Sequence, residues 1–228
     1  MKPETMNFET ANGDTTAVVA RPDTEAESAV VLIHEWWGIN DHMRDIALRY
    51  AKEGYLCVAP DLFRGKVARN SDEAAQMMKD LAIADGLDTI DSAITEIRHS
   101  YAVDQIGITG YCMGGTFALR AACDIGDLAA AAPFYGDIPE EDVLVKLSVP
   151  TLFIAAARDG WITPEKVNGL KQAAQKHDLP VEVVSYDTDH AFFNDTRPEV
   201  YDPKSATDAW RRVLSHFQKH LAPTDADD

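Results

Sequence analysis

The sequence predicts an α/β protein, with a mostly parallel central sheet covered by helices on both faces. Short apolar runs rich in β-branched residues recur along the chain, and segments of helical periodicity separate them. The runs are apolar throughout rather than alternating, as expected of strands buried on both faces. Six strands are predicted, at 29–33, 55–59, 105–109, 128–135, 150–155 and 181–185.

Four helices are predicted between and after these strands. The first begins at the cap-like Asp41 and ends at Gly54. The others are expected over 85–100, 164–177 and 204–220, and a lid-like region over 64–82. Neither a repeat nor a Pro/Gly/Ser-rich linker divides the chain, so one domain is expected over 1–221, followed by an acidic tail over 222–228.

The acidic composition bears on whether the protein binds nucleic acid or membranes. The 228 residues include 38 acidic and 21 basic side chains, a net charge of −17. This surface repels phosphate backbones and anionic lipids, so neither nucleic acid nor membrane partners are expected. An ordinary acidic enzyme and adaptation to a high-salt cytoplasm both fit this charge.

Cysteine usage and the N-terminal segment predict a cytoplasmic protein. The three cysteines are odd in number and lack metal-like spacing, which favours reduced thiols. The first residues lack the apolar stretch of a secretory signal, and no 18-residue apolar run predicts a membrane span. No cofactor or metal motif is found, and a monomer or small homo-oligomer is expected.

One thiol stands on a tight strand-to-helix turn. Gly110-x-Cys112-x-Gly114 directly follows an apolar run and opens a helical segment, which is the nucleophile-elbow pattern with cysteine in place of serine. The helix N-terminus there favours a thiolate and later an oxyanion. A buried structural cysteine is the alternative for this turn. Cys57 and Cys123 are expected to be core residues.

A nucleophilic thiol needs a base and an acid that orients it. His190 lies in a polar loop just after the last predicted strand, and His34 is a weaker candidate. Asp159 follows the preceding strand, and Asp137 is the runner-up for the acid. In parallel sheets such positions meet at the carboxyl edge.

With these residues assembled, the chain resembles the dienelactone hydrolases, a family with the α/β-hydrolase fold. The motifs that carry the resemblance are HEWWGIN at 34–40, APDLF at 59–63, GYCMGG at 110–115, ARDGWITP at 157–164 and DHAFFND at 189–195. It extends from about residue 8 to residue 220. The resemblance implies Cys112 as nucleophile, His190 as base and Asp159 as acid.

The resemblance also assigns the surrounding residues. It implies that Glu35 keeps the resting thiol protonated and helps to form the thiolate once substrate binds. It further implies an oxyanion hole made by the backbone N–H groups of Trp36 and Met113. Family members hold the substrate carboxylate with arginines, and one of these positions is Asn194 here. The residues expected at the substrate are Trp37, Arg64, Arg69, Phe192, Asn194 and Arg197.

The expected function is hydrolysis of a small, dienelactone-like ester or lactone through an acyl-cysteine. Asn194 in place of arginine leaves open a general carboxylesterase or thioesterase without preference for anionic lactones. A non-catalytic, redox-sensing thiol protein is the alternative from another class.

Overall fold

The sheet formed by residues 2–222 has eight strands. The computed structural model describes residues 2–222, so 223–228, nearly all of the expected acidic tail, lie outside the described residues. The strands are β1 (Glu4–Phe8), β2 (Thr15–Ala20), β3 (Ser28–Ile33), β4 (Leu56–Pro60), β5 (Gln105–Tyr111), β6 (Ala130–Phe134), β7 (Thr151–Ala156) and β8 (Val181–Tyr186). Their order is β1-β2-β4-β3-β5-β6-β7-β8, parallel from β4 to β8 and antiparallel at β1 and β2.

Helices cover both faces of this sheet. They are α1 (Asp41–Lys52), α2 (Ser71–Asp80), α3 (Ile83–Tyr101), α4 (Met113–Asp124), α5 (Glu141–Leu144), α6 (Pro164–His177) and α7 (Pro203–His220). One core cluster contains Ile90 of α3, Phe117 of α4 and Leu170 of α6. The other contains Ile46 of α1 and Val213 of α7. The sheet is therefore buried between two helical layers, which confirms the predicted fold class.

Each predicted strand and helix overlaps an observed one, with shifts at the ends. The N-cap of α1 is Asn40, whose side chain accepts a hydrogen bond from Met43 N–H, so the expectation that Asp41 caps this helix is wrong. The lid-like region over 64–82 contains a helix, α2, that the periodicity did not reveal. The strands β1 and β2 were also not predicted. The side chains of β1 are largely exposed, whereas those of β2 are mostly buried.

The two thiols expected in the core lie there. Cys57 in β4 is fully buried, Cys123 in α4 nearly so, and both are free. Burial raises the pKa of the Cys123 thiol to about 12, so it stays protonated at neutral pH. Among residues 2–222, no helix is long and apolar enough to cross a membrane.

The glycine that follows the elbow cysteine fixes how closely α4 approaches β3. A Cβ on Gly114 would lie 2.2 Å from the Ile33 carbonyl oxygen and 2.7 Å from that of His34. Both are backbone atoms, one of the last residue of β3 and one of the residue after it, so they cannot move aside without displacing the main chain. We expect Gly114→Ala to cost at least about 3 kcal/mol, from overpacking and backbone displacement, measured by urea unfolding.

Gly169 provides the matched control for this substitution. It lies on the exposed side of α6, and a Cβ there would meet nothing within 4 Å. Gly169→Ala is expected to be neutral or stabilising by up to about 1 kcal/mol, since alanine favours helix. Equal unfolding midpoints for Gly114→Ala and wild type would show that the turn is not sterically constrained.

Candidate active site

Cys112 occupies the turn between β5 and α4 in a strained conformation. Its φ and ψ are 56° and −118°, a left-handed backbone in a residue with a side chain. The turn closes because Gly110 and Gly114 lack side chains, as a Cβ on Gly110 would sit 2.2 Å from the Gly114 carbonyl oxygen. The thiol is therefore presented at the N-terminus of α4, at the carboxyl edge of the sheet.

His190 and Asp159 form a hydrogen-bonded pair beside this edge. Nδ1 of His190 lies 2.6 Å from Oδ2 of Asp159. The other carboxylate oxygen accepts the backbone N–H groups of Trp161 and Ile162 at 2.8 and 3.0 Å. Burial acts to raise the pKa of this carboxyl, but the hydrogen bond and charge of His190, together with the two backbone hydrogen bonds, outweigh it and hold the pKa below its usual range. An ionised Asp159 keeps the proton on Nδ1 and leaves Nε2 free to accept one.

The rival candidates for base and acid have other partners. His34 is fully buried, with Nδ1 2.7 Å from the Glu35 carbonyl oxygen and Nε2 accepting the Leu62 N–H at 3.1 Å. Both ring nitrogens are thus occupied in holding the backbone. Asp137 receives Lys166 Nζ at 2.7 Å on the surface and is not bonded to His190.

Glu35 is a buried carboxyl next to the thiol. Only 2% of its surface is exposed. Burial raises its pKa to about 7, opposed by the charges of His190 and Arg197 and by a hydrogen bond from Asn194. Burial and the nearby Glu35 charge in turn raise the pKa of the Cys112 thiol. The sulfur is accordingly a thiol, not a thiolate, in this arrangement.

Two backbone N–H groups in the loops of the candidate site have no oxygen partner in the described part of the chain. Those of Trp36, in the loop after β3, and of Met113, the first residue of α4, donate to no oxygen atom within 2–222. The Met113 N–H acts to lower the pKa of the Cys112 thiol, as a donor facing the sulfur does. Free donors from two loops can receive an oxygen that gains charge.

The site is closed. Cys112 is 8% exposed. The Nε2 atom of His190 is buried and has no hydrogen-bond partner among the described residues, so the thiol is not bonded to it. A rotation of the Cys112 side chain or a displacement of Glu35 is needed to bring sulfur and imidazole together.

Tyr135 was missed by the sequence reasoning. It follows β6 with a φ of 36°, is fully buried, and packs edge-on against His190 with ring centroids 5.0 Å apart. Burial, together with the charges of Glu35 and Cys112, raises its pKa, which places the hydroxyl near both groups. In the sequence it is the last residue of the predicted strand 128–135, so no signal distinguished it from the apolar run, whereas the structure ends β6 at Phe134.

Three of the expected substrate contacts are not supported by the structure. Arg64 turns away and bonds the Gly13 and Asp14 carbonyl oxygens at 2.9 and 3.2 Å. Arg69 precedes α2, is 85% exposed and pairs with Glu73 in the first turn of that helix. Phe192 is fully buried among aromatic rings, where it completes the core.

Three others lie at or near the site. Nδ2 of Asn194 donates to Oε2 of Glu35 at 2.8 Å, so its partner is the glutamate. The charge of Arg197 acts on both Glu35 and Cys112, while its guanidinium bonds Glu199 at 2.8 Å. Trp37 packs edge-on against Trp36 with ring centroids 5.1 Å apart, and both are half-buried.

The raised pKa of Glu35 gives a testable pH dependence of stability. The buried carboxyl favours the folded state below its unfolded pKa of 4.5, and this contribution is lost as the pH rises through about 7. We expect Glu35→Gln to be more stable than wild type by about 2–3 kcal/mol near pH 8, with little difference near pH 4.5. Urea unfolding at both pH values measures this, and parallel stability curves would contradict it.

Comparison with known proteins places this geometry in a family. The sequence model described as the dienelactone hydrolase family matches residues 15–221. The chain belongs to this family. Protein usf of Aquifex pyrophilus is 34% identical over 206 residues, covering 84% of this chain and 88% of the relative. A protein of Aquifex aeolicus, provisionally named a carboxymethylenebutenolidase, is 33% identical, covering 86% and 90%.

A solved structure agrees with this membership. The crystal structure of a provisionally assigned dienelactone hydrolase of Klebsiella pneumoniae is 28% identical to this chain. It superposes with a TM-score of 0.86 over 96% of this chain and 100% of the other. This dienelactone hydrolase family member is therefore a hydrolase with the α/β-hydrolase fold, which confirms the expected fold and enzyme class and implies a small-molecule substrate.

Proposed function

We propose that this dienelactone hydrolase family member cleaves small esters or lactones with Cys112, His190 and Asp159 as its catalytic residues. The observation that carries the proposal is the 2.6 Å bond between His190 and Asp159 beside a thiol on a strained elbow. It orients an imidazole whose Nε2 is buried and has no hydrogen-bond partner among the described residues, so that it can accept the thiol proton. Glu35 and the N–H groups of Trp36 and Met113 complete the proposed machinery.

The reaction begins with loss of the thiol proton. Substrate displaces Glu35 from the thiol, and the thiol proton passes to Nε2 of His190, directly or by way of Glu35, which leaves the imidazole as imidazolium. The thiolate attacks the acyl carbon, a C–S bond forms, and the carbonyl electron pair moves to oxygen. The N–H groups of Trp36 and Met113 receive this oxyanion.

Collapse of the oxyanion breaks the bond to the leaving oxygen, which takes a proton from imidazolium. For a lactone the ring opens and the alcohol remains attached to the acyl group. His190 then takes a proton from water, whose oxygen attacks the thioester. The second oxyanion collapses with cleavage of the C–S bond, the carboxylic acid leaves, and the thiolate takes its proton from the imidazolium. Asp159 stabilises the imidazolium in both halves.

Burial of the thiol supports this function over redox sensing. A sensor cysteine is accessible and has a low pKa, whereas Cys112 is buried and its pKa is raised. The arrangement protects the sulfur between turnovers. It fits an enzyme that exposes its nucleophile only to substrate.

One observation favours neutral substrates, and another favours substrates that carry a carboxylate. Asn194 provides no positive charge for a substrate carboxylate, which favours neutral esters. Arg197 acts on the site from an ion pair with Glu199, which an anionic substrate could displace. We propose Arg197 as the group that would hold such a carboxylate.

A comparison of kcat/KM for a carboxylate-bearing lactone and a neutral lactone of similar size separates the two classes. If Arg197 binds the carboxylate, Arg197→Met is expected to lower kcat/KM about tenfold for the anionic lactone only. Equal loss for both lactones would remove this role. Failure to hydrolyse any ester or lactone in the wild type would remove the proposed function.

A further inference from the structure

Glu35 is held from one side by a segment of the catalytic-histidine loop, here 191–196. Within it, Oδ1 of Asn194 accepts the backbone N–H of Thr196 at 3.1 Å and its hydroxyl at 2.6 Å. A backbone N–H can only donate, so the amide oxygen of Asn194 must face Thr196. Its Nδ2 group then has one orientation, toward Glu35. The position of this segment therefore decides whether Glu35 keeps its partner.

The next residue ties the same segment to α1. Asp195 forms an ion pair with Arg49, and its Oδ1 atom lies 3.3 Å from Nδ1 of the buried His42. Arg49 is held in turn by Asp45 through Nε at 2.7 Å. Arg49 and Asp195 are only about one-third exposed, so solvent weakens their attraction less than at an open surface.

The two ends of this connection belong to the site. The helix α1 starts directly after the loop that carries Glu35 and the Trp36 N–H. The segment 191–196 starts directly after His190. The Arg49–Asp195 pair therefore links α1, which follows the Glu35 loop, to the segment 191–196, which carries the hydrogen-bond donor Asn194.

We propose that Asp195, held by Arg49, is a positioning residue that keeps the segment 191–196 seated on Glu35 and so keeps the Cys112 thiol covered. The importance of this for turnover rests on the proposed function. The covering of the thiol does not, because it can be measured by alkylation without any ester substrate.

The experiment follows carboxamidomethylation of each cysteine by iodoacetamide, with peptide mass spectrometry separating Cys112 from Cys57. Local opening exposes Cys112 alone, whereas unfolding also exposes Cys57, which is fully buried in β4. Asp195→Asn and Arg49→Met are each expected to raise the Cys112 rate about tenfold at an unchanged Cys57 rate. The double variant should exceed neither single one, because both changes break one ion pair.

The control is Asp124→Asn, which breaks the pairs of Asp124 with Arg120 and Lys146 at the far end of α4. It should leave both rates unchanged. If Asp195→Asn fails to fold, Asp195→Glu replaces it, with a smaller selective increase expected. An unchanged Cys112 rate in the folded variants, or an equal rise for Cys57, would overturn the proposal. If the wild type hydrolyses no ester, the proposed function is wrong, but the proposal that Asp195 keeps the Cys112 thiol covered is unaffected.

Discussion

Cys112→Ala is expected to lower kcat/KM for p-nitrophenyl acetate by about 10⁴-fold or more, because it removes the proposed nucleophile. The remaining groups would still bind the ester and polarise its carbonyl, but no acyl-enzyme could form. The elbow backbone should survive, since alanine is smaller than cysteine and meets no new atom. Steady-state kinetics in the variant and the wild type measure the effect.

Cys123→Ala is the control for loss of a thiol as such. Cys123 is another buried free cysteine in α4, eleven positions further along the chain. This variant should keep its activity within a fewfold of wild type. Full esterase activity in Cys112→Ala would exclude the cysteine mechanism and leave the family membership untouched.

Asp159→Asn is expected to lower kcat by about 10⁴-fold with little change in fold. The contacts of Asp159 explain why. Its Oδ1 accepts two backbone N–H groups, from Trp161 and Ile162, so the oxygen of an asparagine would stay there. The new amide nitrogen would face Nδ1 of His190 and donate to it. This forces the proton to Nε2, and the imidazole can no longer act as a base.

Asp137→Asn is the matched control, since Asp137 follows β6 as Asp159 follows β7. Its carboxylate bonds Lys166 on the surface, so kcat should stay near the wild-type value. Equal losses in the two variants would mean that neither carboxylate orients His190 specifically. The pH dependence of kcat is a second measurement. Only Asp159→Asn should change it, because only that variant places the proton on Nε2 of His190.

The core of the fold could be predicted because its strands are short apolar runs between helical segments. The elbow was also readable, since a close approach of strand and helix leaves a local signature of glycines at 110 and 114. The strand β1 gave no such signal, because its side chains are largely exposed and its partner is set by long-range pairing. The helix α2 was missed although Asn70, with Glu73 three residues later, is a readable cap, because Ala74 is its one buried residue and no apolar stripe marked the helix.

The candidate site was predictable in its order along the chain but not in its arrangement. Asp159 and His190 follow successive strands, so their meeting follows from the parallel sheet. The direction in which each loop side chain points could not be predicted from the order of the strands. Arg64 and Asn194 both lie in loops at this edge, yet one turns to the β1–β2 turn and the other to Glu35. Tyr135 was overlooked because it continues an apolar run.

The most direct test of the account is the mass of the protein trapped during turnover. Mixing the enzyme with p-nitrophenyl acetate and quenching in acid within the burst should give one added acetyl group, mapped to Cys112 and absent in Cys112→Ala. Slower deacylation in Asp159→Asn should make any adduct that forms longer-lived. An acetyl group on another residue, or hydrolysis with no adduct at any quench time, would contradict the acyl-cysteine mechanism.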